Sequence, residues 1–139
     1  MSKPHTDALI AALKTIPAFA TKTWPTMVPT GTTPTLPYLL IHPADGVNTS
    51  ERASLRHRTR HPRFTGHLVG SSYAQVAAGM TLVENILCPD GRGVVLVVAG
   101  ERCTPLWLYS PLPIQIDTDV TPALVYQVFE CGLDADPVS

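Results

Sequence analysis

Three histidines, His57, His61 and His67, have the spacing that most suggests metal chemistry, because imidazole is a common ligand of transition metals. The residues around them alternate as in a β-strand, where odd-numbered positions share a face. His57 and His61 would then lie about 13 Å apart at ~3.3 Å per residue. No cysteine or pair of carboxylates stands nearby to complete a tetrahedral shell. The pattern therefore favours histidines at a surface or an interface and argues against a metal site.

Sequence patterns for nucleophilic or phosphate chemistry are missing. The chain contains no nucleophile elbow, Walker loop, dinucleotide fingerprint or His-Glu-x-x-His. Gly91-Arg92-Gly93 follows a predicted helix, whereas a phosphate-binding glycine loop precedes one. Asp117 and Asp119 have no base or metal ligand beside them and are typical of a turn. The sequence thus predicts no catalytic residue and no cofactor.

The cysteines, Cys88, Cys103 and Cys131, are odd in number and far apart. This spacing indicates neither a disulfide framework nor a zinc site. We expect small, buried apolar side chains at these positions.

A basic segment remains as the strongest chemical feature. Residues 52–63 carry no acid and five of the seven arginines of the chain. Such a segment can bind nucleic acid phosphates, contact another subunit, or be a solvated loop. Nucleic acid binders usually interleave aromatic residues, and only Phe64 is close by. The arginines are Arg52, Arg56, Arg58, Arg60 and Arg63.

The balancing acids lie at the other end of the chain. Residues 117–136 contain five acids and no lysine or arginine. This segregation permits a head-to-tail contact, in which the basic segment of one copy meets the acidic region of the next and a ring closes. On this hypothesis the five arginines contact a neighbouring subunit or another partner, and the candidate acidic residues are Asp117, Asp119 and Asp134.

Composition limits the classes of protein that the chain can belong to. It has 139 residues, a net charge of −1, 45% apolar residues and only 15% charged ones. These values suit a single domain over residues 1–139 and argue against wholesale disorder and a histone-like function. The 14 prolines favour short helices, turns and edge strands. The start of the chain lacks an apolar signal region, and its longest apolar run, Val94 to Ala99, is too short to span a membrane. We therefore expect a protein made in a reducing cytoplasm.

Two helices are predicted from apolar residues at helical spacing. The first covers 6–16 and ends before Pro17. The second covers 72–87, where Ser72 and Gln75 have the spacing of a capping box.

Strands are predicted at 24–28, 38–42, from Arg58 through the sixties, and at 94–99, 106–109, 114–117 and 124–130. Residues 21–37 form a loop rich in proline and threonine, residues 47–66 an exposed, projecting hairpin, and residues 132–139 a tail that frays or extends as an arm. Together these elements predict an α+β fold with two helices on one face of a mostly antiparallel or mixed sheet.

The order of these elements resembles the tail terminator, or tail completion, proteins of long-tailed bacteriophages. The resemblance rests on "LPYLLIH", the arginine-rich hairpin leading into "FTGHLVGSS", the helix "YAQVAAGMTLVENIL" and "SPLPIQIDTDVTPALVYQVFE". It implies a small α+β protein of the virion that forms a hexameric ring, caps the tail tube and offers a surface to the neck or head-completion protein. DNA would pass through the ring, assembly would take place in the host cytoplasm, and neither a cofactor nor a membrane would be involved.

Two alternatives stay open at this point. A head-closure or connector protein of the same particles would have a similar size and composition. A nucleic-acid-binding module would use the arginine-rich hairpin and be retained on DNA in a salt-dependent manner.

Overall fold

The computed structural model describes residues 3–44, 49–50 and 58–138. The predicted α+β class is confirmed, since two helices cover one face of a mixed sheet. The helices are α1 (Lys3–Leu13) and α2 (Tyr73–Leu87). The strands are β1 (Thr23–Pro25), β2 (Tyr38–Ala44), β3 (Thr49–Ser50), β4 (Arg58–Thr59), β5 (Arg63–Gly70), β6 (Glu101–Cys103), β7 (Trp107–Tyr109), β8 (Gln115–Asp117), β9 (Leu124–Gly132) and β10 (Ala135–Pro137).

Helix α1 begins and ends three residues before its predicted bounds. Pro4 fits the first turn, where a backbone N–H has no helical partner, so the helix starts ahead of Thr6. At the other end Pro17 forces Ile16 into an extended conformation. A short 3-10 helix follows at Pro17–Phe19.

Helix α2 agrees with the prediction. The Ser72 hydroxyl accepts a hydrogen bond from the Gln75 N–H at 3.2 Å. The Gln75 side chain in turn accepts from the backbone N–H of Ser71 at 2.7 Å, one residue before the expected donor. The buried face that results packs toward the sheet through Val76, Met80, Val83 and Leu87.

The main sheet has the strand order β1-β2-β5-β9-β7, with β8 also paired to β9. The β1–β2 pair is parallel and every other pair in this sheet is antiparallel. Alternate residues of the central strands face the helices and form the core, among them Leu39, Ile41, Phe64, Leu68 and Phe129. Because side chains alternate along each strand, the sheet has a buried apolar face under the helices and a second face on the opposite side.

The predicted strand at 94–99 is wrong, because this segment lies outside every sheet in the described part of the chain. Its backbone bonds lead elsewhere, since Val94 bonds to Leu87 and Leu106 and Val98 accepts from Glu101, while β7 and β8 take the positions at the two ends of β9. The segment is still anchored, since Leu96 and Val98 point into the core.

The C-terminal tail does not fray, contrary to prediction. Strand β10 pairs antiparallel with β6, and Leu133 and Ala135 are buried. Burial of these two apolar side chains offsets the entropy lost when the segment is ordered.

Two other predicted strands are shorter than expected. The first sheet strand covers Thr23–Pro25 rather than 24–28, because Thr26 has a positive φ that breaks the extended run. The strand expected from Arg58 onward is split at Pro62, which lies between β4 and β5 and lacks the N–H a ladder needs.

The predicted projecting hairpin at 47–66 lies partly outside the described residues. Its base is described, where β3 and β4 pair antiparallel with Thr49 opposite Thr59. Residues 45–48 and 51–57 fall outside, and with them Arg52 and Arg56.

Candidate assembly surface

Asp134 is the centre of a charged cluster formed by the start of β5 and the segment after β9. Its Oδ1 atom lies 2.6 Å from Nδ1 of His61 and 3.5 Å from Nη2 of Arg63. The hydrogen bond from His61, aided by the positive charges of His61 and Arg63, lowers the pKa of the Asp134 carboxyl against the opposing effect of burial. The cluster therefore holds a carboxylate that stays ionised at neutral pH.

Arg63 is fixed by contacts within its own chain. Its Nη1 donates to the carbonyl oxygens of Leu133 at 2.8 Å and Pro62 at 3.0 Å. The guanidinium also lies 5.3 Å from the ring centroid of Trp107, which is within the range of a cation–π contact. Arg63 thus anchors the segment between β9 and β10 to the sheet.

Arg60 belongs to a second contact at the same end of the molecule. Its Nη1 lies 3.7 Å from Oε1 of Glu101, and the other carboxylate oxygen of Glu101 contacts the fully buried His5. The backbone of Arg60 also exchanges two hydrogen bonds with Ala135, and Thr59 donates to Asp136 at 2.5 Å. These contacts attach the base of the arginine segment to both the N-terminal helix and the C-terminal strand.

Asp117 and Asp119 lie at the opposite end of the molecule. Asp117 accepts the N–H of Asp119 at 3.0 Å, which is the turn that the sequence indicates, and Asp119 is exposed. Asp117 is paired with Leu124 at the start of β9, whereas Arg63 is paired with Gly132 at its end. Eight residue steps along β9 amount to about 27 Å, so these acids cannot reach Arg63 of their own chain.

The eight residues predicted at an interface therefore fall into three groups, and their role at an interface stays a prediction. Arg60, Arg63 and Asp134 are engaged inside the chain, although each keeps about two fifths of its side chain exposed, at 43%, 38% and 45%. Asp117 and Asp119 lie apart from them. Arg58 is described as a strand residue of β4, and Arg52 and Arg56 lie outside the described part.

Sequence reasoning missed three partners: Glu101, which pairs with Arg60; Trp107, which lies beneath Arg63; and His61, which holds Asp134. Each lies far along the chain from at least one group that it contacts, and nothing in local spacing points to these contacts. The one signal that the sequence offered for these contacts was Asp134 itself, an acidic residue two positions after the end of β9.

A second surface, which we call the open sheet face, is the face of the main sheet opposite the helices. The strand register places half-buried side chains there in cross-strand rows. One row contains Tyr38, Val69, Tyr126 and Gln115, and Tyr126 donates to Gln115 at 2.7 Å. Aromatic and aliphatic groups mixed with polar ones are typical of a surface that contacts another protein.

His67 and His42 lie side by side on this open sheet face. Their rings meet edge to face with centroids 4.8 Å apart. Partial burial, and then the charge of His42, lowers the pKa of His67. This shift favours the neutral form of His67, which is compatible with an apolar contact.

An apolar groove lies between the proline-rich loop and the start of β9, where Tyr38 and Leu124 meet prolines and threonine. Among the described residues, no three His, Cys, Asp or Glu side chains are placed to hold a metal ion. None of the described helices has both the length and the apolar character needed to cross a membrane.

Comparison with solved structures shows a likeness to a chain of a virion particle. No protein-family model matches the chain, and no curated protein sequence matches it. A chain in the solved structure "Virion of native gene transfer agent (GTA) particle" is similar, with 21% identity and a TM-score of 0.55. The likeness covers 94% of this chain and 87% of that chain. The protein therefore has, over nearly its whole length, the fold of a chain found in a virion particle.

Proposed function

We propose that the protein is a structural component of a virion that caps the tail tube as a hexameric ring, ends tube growth and provides the surface joining tail to head. The finding that supports this proposal is the fold shared with a chain of a virion particle. The specific role as tail terminator comes from the resemblance in element order.

The observation that carries the proposal is the separation of charge along β9. The arginine segment is anchored at one end of this strand, and Asp117 and Asp119 lie at the other, about 27 Å away at ~3.4 Å per residue. A basic and an acidic site at opposite ends of one chain can meet only between copies. Repeated contacts of this kind are heterologous, and they close into a ring when the rotation between copies divides a full turn.

Within this contact the arginines have different roles. Arg60, Arg63 and Asp134 hold the segment in place by bonds within the chain. Arg52 and Arg56 then contact Asp117 and Asp119 of the next subunit. Charge pairs at such a contact set register and partner choice more than affinity.

A ring that ends a tube must match the tube on one side only. Growth stops because the far side of the ring does not offer the surface that another tube subunit requires. We assign the contact with the tube to the open sheet face, whose rows of half-buried aromatic and aliphatic groups suit a protein partner.

A charge-swap experiment tests the ring contact. Asp117→Arg/Asp119→Arg places like charges at both sides of every contact, and so does Arg52→Glu/Arg56→Glu. Each double variant alone should be monomeric by light scattering. An equimolar mixture restores an opposite pair at every contact and should form rings with a central hole by negative-stain imaging. Asp117→Asn/Asp119→Asn is the matched control, because it removes both charges and keeps an oxygen that accepts the turn hydrogen bond; it should weaken the ring without the repulsion expected of the arginine variant.

Failure of the mixture to assemble, or rings formed by either variant alone, would contradict the head-to-tail contact. Binding to isolated tail tubes and to filled heads then separates the tail terminator from the head-closure connector. Retention on DNA that falls steeply with salt would instead favour the nucleic-acid-binding module.

A further inference from the structure

The segment from residue 94 to 98 belongs to no helix or sheet among the described residues, yet its burial alternates as in an extended chain. Its side chains alternate: Leu96 and Val98 are buried, while Val95 is 56% and Val97 is 91% exposed. Natural proteins usually protect such an edge with a lysine, a proline or a bulge, because it can pair with another chain. Residues 94–98 contain neither a charge nor a proline.

The backbone of this segment is hydrogen bonded on one edge only. Val94 donates to Leu87 at 2.9 Å and accepts from Leu106 at 2.9 Å, and Val98 accepts from Glu101 at 3.1 Å. Successive residues of an extended chain direct their N–H and C=O groups to opposite edges.

The groups of Val95 and Val97 therefore lie along the other edge. Neither residue makes a backbone hydrogen bond to the part of the chain that the structure describes. Two N–H and two C=O groups, flanked by two exposed β-branched side chains, are available there to a strand from outside.

The sequence of this edge identifies a matching strand. Val-Val-Leu-Val-Val reads the same in both directions about Leu96. An antiparallel pair with a two-fold axis at Leu96 places Val95 opposite Val97 of the partner subunit, and Val97 opposite the partner's Val95. Because these residues carry the outward groups, both are hydrogen-bonded pairs, which gives four backbone hydrogen bonds. Cross-strand valine pairs add favourable contacts, and an uncharged strand brings no like charges together.

We propose that residues 94–98 form a strand-pairing site for the same segment of a second copy of this chain. This contact is isologous, so it joins two copies about a two-fold axis and is distinct from a head-to-tail ring contact. It joins two monomers, and it joins two rings when its two-fold axis lies perpendicular to the axis of the ring. The proposal does not depend on the proposed function.

Val97→Lys tests this pairing by placing two charges beside the two-fold axis. The native mass of the purified protein, measured by light scattering at a fixed high concentration, should fall two-fold. Leu82→Lys is the matched control, since Leu82 is also an exposed apolar residue, at 41%, and lies on α2, outside both this edge and the acidic site of the ring contact. Val95→Lys should behave as Val97→Lys does, and circular dichroism verifies that all three variants are folded.

Hydrogen exchange provides a second measurement on the unmodified chain. The amides of Val95 and Val97 should exchange more slowly as the protein concentration rises, and the amides of Val97→Lys protein should not respond. A wild-type mass that corresponds to an unpaired monomer or single ring, an unchanged mass for both lysine variants, or exchange independent of concentration would overturn the proposal. Dissociation of a ring to monomers by Val97→Lys would also overturn it, because that outcome assigns the segment to the ring contact.

Discussion

At the scale of single residues, Asp134 determines how the base of the arginine segment is held. It accepts from His61 at 2.6 Å and pairs with Arg63, which in turn bonds to the carbonyl of Leu133. An acid predicted to contact a neighbouring subunit thus has partners within its own chain. We therefore expect substitution of Asp134 to lower the stability of the folded chain.

Asp134→Asn should lower the free energy of unfolding at pH 7 by about 1 kcal/mol, since the charge-assisted bond is lost but the side chain is partly solvated. The folded state lowers the pKa of this carboxyl below its ordinary value of 3.8. Its contribution is therefore complete above that value and is lost as the pH falls through the lowered pKa. The difference between variant and wild type should vanish at the acid end of a series of denaturant titrations.

Asp90→Asn is the control for this prediction. Asp90 is exposed and has a positive φ of 54°, a conformation that asparagine also tolerates. Its unfolding free energy should match the wild type at every pH. An equal stability of Asp134→Asn and wild type at pH 7 would show that the cluster contributes nothing.

At the scale of elements, the pairing of β5 with β9 depends on one close approach. Gly66 lies opposite Phe129, and a methyl group at Gly66 would be 2.1 Å from Cζ of the Phe129 ring. The phenylalanine side chain therefore folds over the glycine, and the absence of a Cβ at Gly66 is what lets this ring enter the core.

Gly66→Ala should lower the free energy of unfolding by about 2 to 3 kcal/mol, because the methyl group overpacks a full core. Phe129→Leu removes the ring atoms that clash and serves as the matched background. In that background Gly66→Ala should lower the free energy of unfolding much less. Denaturant titration of wild type, the two single variants and the double variant measures the coupling energy between the two positions. An equal cost in both backgrounds would rule out this clash as the cause.

At the scale of the whole molecule, the two proposed contacts between copies differ in their physical origin. The head-to-tail contact joins exposed charges, which salt screens over about 10 Å at 0.1 M and about 3 Å at 1 M. The strand pairing at residues 94–98 uses apolar side chains and backbone hydrogen bonds, and salt does not weaken these in the same way.

Raising the salt concentration to about 1 M should therefore dissociate rings and leave two-fold dimers, since the remaining Debye length is only about 3 Å. Val97→Lys protein under the same conditions should be monomeric. Sedimentation velocity at low and high salt distinguishes these species. Rings that persist unchanged at high salt would assign the ring contact to apolar surfaces.

The sequence alone determined the features that depend on local spacing. The helical repeat of Val76, Met80, Val83 and Leu87 and the Ser72 cap predicted α2, because the pattern and the cap join residues three or four positions apart. Alternation predicted the strand from Arg58 onward, a continuous apolar run predicted the strand at 38–42, and with the other strands and helices these led to the α+β class. The separation of basic and acidic regions was also visible without a structure.

Tertiary structure alone decided which of these features meet. A β-branched run at 94–99 has every local property of a strand, yet its backbone bonds lead elsewhere, while β7 and β8 take the positions at the two ends of β9. Asp134 and Arg63 are 71 positions apart and meet because β5 and β9 are neighbours in register. Pairing and charge contacts of this kind depend on which strands become adjacent, and that outcome is set by the packing of the whole chain rather than by spacing along it.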